Sequence, residues 1–313
     1  MYPEFLETNL AAIGMNRARE VWGEVKLISK YKDGRHGPAW QSYTVSEQAG
    51  IQLRLAAAWK RLGLEPQDRV AIMAPNRPRW VFTLNSLLMD GLVAVPIYPT
   101  ILPEDAAYIL NDSGAKYIVV DSLERAEQIR SVMDQAPALQ GIFVMDRLDE
   151  TPAAPIYALD ELIQGDAKQD DHEAVYATVR EIGGTHRAAI IYTSGTTGRP
   201  KGVVLTHDNF LSQRPLQSSF DLREDDIFLN HLPFCHVFGL SSDLFGATSV
   251  KATMVISDGI EPEKIRHALQ TIRPTVLMSV PRLFEKIYVQ VHQVVSQRHR
   301  LVQNLFHGAL STG

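Results

Sequence analysis

Residues 190–207 read IIYTSGTTGRPKGVVLTH, an apolar run going in and another coming out. Between the runs, Thr193, Ser194, Thr196 and Thr197 bring hydroxyls, Gly195, Gly198 and Gly202 remove Cβ atoms, and Lys201 adds a positive charge. Backbone freed of Cβ atoms lets successive N–H groups converge on an oxyanion. Hydroxyls add donors and can ligate a hard cation, and lysine contributes a mobile point charge. This is chemistry for holding phosphates. A plain hairpin turn needs one or two glycines, which leaves the remaining glycine and four hydroxyls unexplained. The stretch is not a Walker A loop, because Lys201 follows Pro200 and precedes Gly202 where that motif needs a Gly-Lys-Ser/Thr unit. Its glycine spacing does not match GxGxxG either. The flanks AAIIY and VVLTH predict two paired strands that anchor the loop at both ends.

His236, in LPFCHVFG, is the second candidate. Two readings stay open: a turn or core histidine satisfied by backbone groups, or an imidazole that orients an oxygen of a ligand. Cys235 beside it invites a Cys–His nucleophile, but neighbours on extended backbone point to opposite faces, so Cys235 reads as a small buried filler. His207 and His231, with Asp225 and Asp226 nearby, fit no metal-ligand spacing and read as surface turn residues. Arg282 is left unassigned.

Positioning these groups requires a sheet. Strand-like runs at 68–74, 92–98, 116–121 and 139–146 alternate with helical patterns at 79–90, 103–113 and 123–136, which predicts parallel strands with helical crossovers. Pro96 marks a strand end or an edge. An earlier helix is expected after Ser46 as cap, stopping at Gly63, and one after Asp208 as cap. Residues 1–43 are hard to place. Residues 150–185, polar and acidic, read as a solvated surface excursion. Further strands are expected at 226–233, 251–257 and 275–281. A helix is expected at 261–273, and a last long helix runs from Arg282 to about Leu310 with an apolar stripe through Ile287, Val291, Val294 and Val295.

The 313 residues allow a full core, and a net charge of -5 gives no electrostatic footprint for nucleic acid. A single cysteine, Cys235, fits a reducing compartment. The N-terminus lacks the basic and apolar blocks of a signal peptide, and SLLMDGLVAVPIY is interrupted by Asp90, Gly91 and Pro96. The expectation is a cytoplasmic protein, with peripheral membrane contact left open.

YTSGTTGRPKG resembles the phosphate-binding signature of the adenylate-forming enzymes, which include acyl-CoA synthetases, adenylation domains and luciferases. LGLEPQDRVAIMAPN, DGLVAVPIYPT, YILNDSGAKYIVVD and LPFCHVFG agree with that family in order, and VPRLFEKIY is similar to its long-chain acyl-CoA synthetase branch. The resemblance covers about residues 40–290 and implies an α/β fold of layered sheets with helices on their faces, the N-terminal part of that family's large domain. It implies ATP-dependent activation of a long-chain fatty acid to acyl-adenylate, then transfer to coenzyme A. ATP, magnesium and coenzyme A are the implied cofactors and the fatty acid the implied partner. Lys201 and His236 are the implied catalytic residues. Thr193, Ser194, Gly195, Thr196, Thr197, Gly198 and Lys201 would hold the phosphates, with Thr196 at the metal. No Tyr-Gly-x-Thr-Glu or Thr-Gly-Asp segment is present, so the adenine-binding part and the small C-terminal domain are expected to lie outside this chain. The alternatives are a fatty acyl-AMP ligase, or a non-catalytic remnant that keeps the fold. Self-association, or a complementing C-terminal polypeptide, is expected to cover the last helix.

Overall fold

The strand–helix alternation closes into two sheets. The computed structural model describes residues 3–150, 152–165, 169–193, 198–214, 219–300, 304–306 and 308. Helix α1 (Leu10–Glu20) precedes a hairpin of β1 (Val25–Lys32) and β2 (Arg35–Thr44), then α2 (Val45–Arg61). The alternating region follows: β3 (Arg69–Met73), α3 (Pro78–Met89), β4 (Val93–Pro96), α4 (Pro103–Ser113), β5 (Tyr117–Val120), α5 (Leu123–Arg130) and β6 (Gly141–Val144). After it come β7 (Ile156–Ala158), α6 (Leu159–Gln164), α7 (Gln169–Glu181), the hairpin β8 (Arg187–Thr193) and β9 (Lys201–Thr206), and α8 (His207–Leu211). Next are β10 (Ile227–Asn230), a π-helical stretch over Gly239–Phe245 running into α9 (Gly246–Ser249), β11 (Thr253–Ile256), α10 (Pro262–Ile272) and α11 (Pro281–Ser296).

One sheet has the order β7-β6-β5-β3-β4-β8-β9 and the other β10-β11-β1-β2. Pairing is parallel throughout except in the hairpins β1–β2 and β8–β9. Strands β4, β5 and β6 are buried at every position, because helices cover both faces of the larger sheet. On one face α1, α2, α3 and α7 bring Met15, Trp59, Trp80, Phe82 and Val179 into the main core. On the other, α4 and α5 add Ile109, Leu110 and Ile129. The smaller sheet packs Leu229 and Val255 against Ile265 and Ala268 of α10 and Leu283 of α11.

Buried polar groups tie distant segments together. Asn9 caps α1 by accepting the Ala12 N–H at 2.8 Å, and its amide donates to the carbonyls of Val179 and Ile182, both at 3.0 Å. His207 is 1% exposed, and its Nδ1 accepts the N–H of Leu10 at 3.1 Å.

Several expectations are corrected. Thr44, not Ser46, caps α2, because Thr44 Oγ1 accepts the Glu47 N–H while the Glu47 carboxylate accepts the Thr44 N–H. Thr206 and Asn209 cap α8 in the same reciprocal way, leaving Asp208 inside the helix. Residues 150–185 are not a surface excursion: β7 extends the sheet, and Leu159, Val175 and Val179 enter the main core. Residues 1–43 hold α1 and the β1–β2 hairpin. Of the two readings of Pro96, strand end or edge, the first holds: it closes β4, an interior strand. The region 275–281 makes only an isolated parallel bridge, Val276 to Phe228. His207 and His231 are buried rather than on surface turns. Among the described residues no helix is long and apolar enough to cross a membrane.

Candidate nucleotide and substrate site

The phosphate-loop candidate lies between β8 and β9, as the flanking runs predict. The last pair of the hairpin sets Thr193 opposite Lys201, and both are exposed. Directly opposed residues of an antiparallel pair share a face, so a hydroxyl and an ammonium stand side by side at the base of the loop. Lys201 makes no ion pair with any described residue. Ser194, Gly195, Thr196 and Thr197 lie outside the described residues. Gly198, with φ +109°, occupies backbone that side chains rarely tolerate. At Gly202 a Cβ would come within 2.9 Å of the Ile190 Cγ2 and 3.0 Å of the Tyr192 ring, so a side chain there would force one of those two to shift.

Helix α4 holds both ends of this loop. The Tyr192 hydroxyl, on the strand leading in, donates to Asp112 Oδ2 at 2.6 Å. The Tyr108 hydroxyl donates to the carbonyl of Pro200, on the side leading out, at 3.2 Å. Tyr108 and Asp112 are four residues apart and share one helix face. The Arg199 guanidinium lies over the Tyr108 ring, 5.1 Å from its centroid. Burial and the Asp112 carboxylate push the Tyr192 phenol well above its ordinary range, so it stays a donor. The i,i+4 pair in YILND was the available signal for this clamp, but its target is eighty residues away.

His236 sits elsewhere, beyond the carboxyl end of β10, and no hydrogen bond joins it to the hairpin among the described residues. It is exposed, while Cys235 beside it is buried. The two lie in a turn that opens a helix and not on a strand, so the strand argument for opposite faces does not apply, and only their burial differs. Burial pushes the Cys235 thiol up to about 12, which rules out an activated thiolate. The His236 Nδ1 accepts the Phe238 N–H at 3.1 Å. A neutral His236 therefore carries its proton on Nε2, the nitrogen left to meet a ligand oxygen.

A cleft of about 540 Å³ opens beside this turn. It is lined by segments following β3 (Ala74, Pro75, Asn76), β4 (Tyr98, Pro99, Thr100), β10 (His231, Pro233, Cys235) and β11 (Ser257, Asp258, Gly259), with Tyr31. Ligands in open α/β sheets bind past the carboxyl ends of the strands, which is where this cleft lies. Burial pushes the His231 imidazole down, against a hydrogen bond it donates to the Met278 backbone, which favours the charged form. Asp258 bonds His36 and, at 3.1 Å, Lys30. Burial pushes its carboxyl up, but those two bonds outweigh it and hold it below the ordinary carboxylate range. Three of the quoted motifs supply part of this lining, through Ala74–Asn76, Tyr98–Thr100, and Pro233 and Cys235, but their spacing does not show that they meet, because they follow separate strands.

The donor chemistry fits an anionic polyphosphate. An exposed lysine, with no ion pair among the described residues, faces a hydroxyl, and a positive-φ glycine stands in a loop clamped at both ends. Among the described residues no cluster of three His, Cys, Asp or Glu could hold a metal. A magnesium ion here would take most of its oxygens from phosphate and water.

A family model described as AMP-binding enzyme matches residues 25–309. The chain belongs to the AMP-binding enzyme family. A long-chain-fatty-acid–CoA ligase, ACSBG1 of Rattus norvegicus, is 28% identical to it over 298 residues, 92% of this chain and 38% of that protein. The long-chain-fatty-acid–CoA ligase FadD15 of Mycobacterium bovis is 33% identical over 258 residues, 81% and 41% of the two chains. This AMP-binding chain thus spans about two-fifths of the length of the curated relatives it matches. Among solved structures, the N-terminal domain of FACL13 from Mycobacterium tuberculosis superposes with a TM-score of 0.73 at 24% identity, covering 89% of this chain and 64% of that one. ATP-bound MatB from Rhodopseudomonas palustris gives 0.74 at 24% identity, covering 90% and 51%. These likenesses establish the fold: layered α/β sheets with helices on their faces, matching the N-terminal part of those structures.

Proposed function

We propose that this chain carries the phosphate-holding and acyl-activating part of a long-chain fatty acid–CoA ligase. A fatty acid carboxylate attacks the α-phosphorus of ATP, the bond to the β-phosphate oxygen breaks, and pyrophosphate leaves as acyl-adenylate forms. The coenzyme A thiol then displaces AMP from the mixed anhydride. Such phosphorus chemistry depends mainly on positioning and on stabilising the departing charge. Lys201 and Thr193, fixed opposite each other, are suited to the pyrophosphate oxygens, with Ser194 to Gly198 completing the cradle. Thr196 is assigned to the magnesium that accompanies the nucleotide. His236 offers its Nε2–H to an oxygen of the carboxylate or the α-phosphate. The 540 Å³ cleft beside it takes a narrow, largely apolar chain.

The observation that carries this reading is the Thr193–Lys201 pair closing a loop that α4 clamps at both ends. The test is ATP–pyrophosphate exchange with a panel of fatty acids, first with this chain alone and then with a polypeptide that supplies the remaining part of its curated relatives. Fatty-acid-dependent exchange in either arm supports it. Absence of exchange in both arms, with ATP still bound in a calorimeter, favours a non-catalytic remnant. Exchange without any transfer to coenzyme A favours an acyl-AMP ligase.

A further inference from the structure

Asn76 lies just past β3 in the larger sheet, and Asn230 ends β10 in the smaller one. The Asn76 amide donates to Asn230 Oδ1 at 2.7 Å and to the Leu232 carbonyl at 2.7 Å, and its oxygen accepts the Phe234 N–H at 2.9 Å. The Asn230 amide in turn donates to the same Leu232 carbonyl at 3.0 Å and to Asp243 Oδ2 at 2.7 Å. Both amide nitrogens thus spend both hydrogens, and apart from the bond between the two asparagines every one reaches the turn leading to His236 or the helix leaving it. The packing agrees. Trp80 of α3 lies 5.1 Å from the Phe234 ring, centroid to centroid. A Cβ on Gly239 would fall 2.5 Å from the Pro233 carbonyl oxygen and 3.0 Å from that of Leu232, so the π-helical stretch is seated directly under the turn. π-Helical segments of this kind recur at functional sites.

Asp243 is 1% exposed, and its Oδ1 has no hydrogen-bond partner among the described residues. A buried carboxyl kept beside a single donor is costly unless it does something for that donor. Here it orients the Asn230 amide, which fixes where Asn76 and the Leu232 carbonyl meet.

We propose that Asn76, Asn230 and Asp243 are positioning residues: a polar relay spanning the two sheets that holds the Leu232–His236 turn and so fixes the direction of the His236 imidazole. The role of His236 in acyl activation rests on the function proposed above; the relay itself does not. Burial pushes Asp243 up to about 7, against the Asn230 hydrogen bond, so an amide should replace it with little disturbance. A leucine would leave the Asn230 N–H without an acceptor.

The test uses the full chain, labelled with nitrogen-15. Amide hydrogen exchange is read at Phe234 and Phe238, and the imidazole nitrogen shifts are read at His236. In Asn76→Ala, both amides should exchange at least tenfold faster, and the His236 shifts should move toward those of a free imidazole, while β3 and β5 amides stay protected. Asp243→Leu should behave like Asn76→Ala, and Asp243→Asn like the unaltered protein. Where Asn76→Ala does not fold, Asn76→Asp keeps the acceptor for Phe234 and removes both donated bonds, and should loosen Phe238 in the same sense. Unchanged exchange and unchanged His236 shifts in a folded Asn76 variant overturn the relay. Loosening by Asp243→Asn equal to that of Asp243→Leu overturns the role of Asp243. Pyrophosphate exchange by His236→Ala is measured separately: if it is undiminished while the relay variants loosen the turn, the functional reading of His236 falls and the relay stands.

Discussion

His207 follows directly on the strand that leaves the phosphate loop, and it should make the fold acid-sensitive. Its ring is buried, with Nδ1 accepting the first N–H of α1. Burial pushes the imidazole from its ordinary 6.5 down to about 4, and neighbouring His186 adds in the same direction. The unfolded chain therefore binds the His207 proton more readily than the folded one between those two values. The associated stability is complete above pH 6.5 and is lost as the pH falls toward about 4. One unit of separation corresponds to ~1.4 kcal/mol, so titration from about pH 7.5 to about pH 5 should remove about 2 kcal/mol. That is a large share of a typical domain's stability. His207→Asn offers an amide oxygen near the Nδ1 position and cannot titrate. Urea unfolding of the two proteins across this range isolates the effect. Asp90 and Asp243, both pushed up to about 7 by burial, gain stability as the pH falls but contribute equally to both proteins. The stability difference should swing by about 2 kcal/mol in favour of His207→Asn at the acid end. A difference that stays flat to within about 0.5 kcal/mol would mean that His207 titrates as an ordinary histidine and the burial reasoning is wrong.

Replacing Lys201 with alanine, in whichever preparation supports exchange, should lower pyrophosphate exchange by about a hundredfold to a thousandfold, the usual cost of one group that stabilises developing charge, with fatty-acid binding little changed; steady-state exchange beside fatty-acid titration checks both. Asp112→Leu removes the carboxylate acceptor of the buried Tyr192 hydroxyl and should cost about 1–3 kcal/mol by urea unfolding, while Asp112→Asn should cost under about 1 kcal/mol. Thr196→Ala should raise the magnesium concentration needed for half-maximal exchange, and an unaltered titration would remove Thr196 from the metal. Phe284, Tyr288, Val289, Val291 and Val294 leave α11 with exposed large apolar groups, so the isolated chain should self-associate in light scattering and Val291→Glu should reduce it.

What the sequence disclosed follows from burial. Strands β3 to β6 could be read because both faces are covered, so their apolar runs are unbroken. The β8–β9 hairpin could be read because its loop composition had no cheaper explanation. Helix α7 was hidden because its core contacts, Val175 and Val179, are sparse among charged neighbours in QDDHEAVYATVRE. Strand β2 was hidden because most of its residues are exposed and show no alternation. At the site, Thr193 and Lys201 could be named from their types, and their facing register followed once the strands were paired. The α4 clamp, the burial of His207 and His231, and the relay through Asn76 join residues far apart in the chain, and only the folded arrangement brings them together.

Tyr108 and Asp112 ride on a single helix, so the strand entering the loop and the residue leaving it lean on one support. A shift of α4 would act on both flanks together, and if the loop holds a polyphosphate as proposed, its entry and its exit would answer to the same movement.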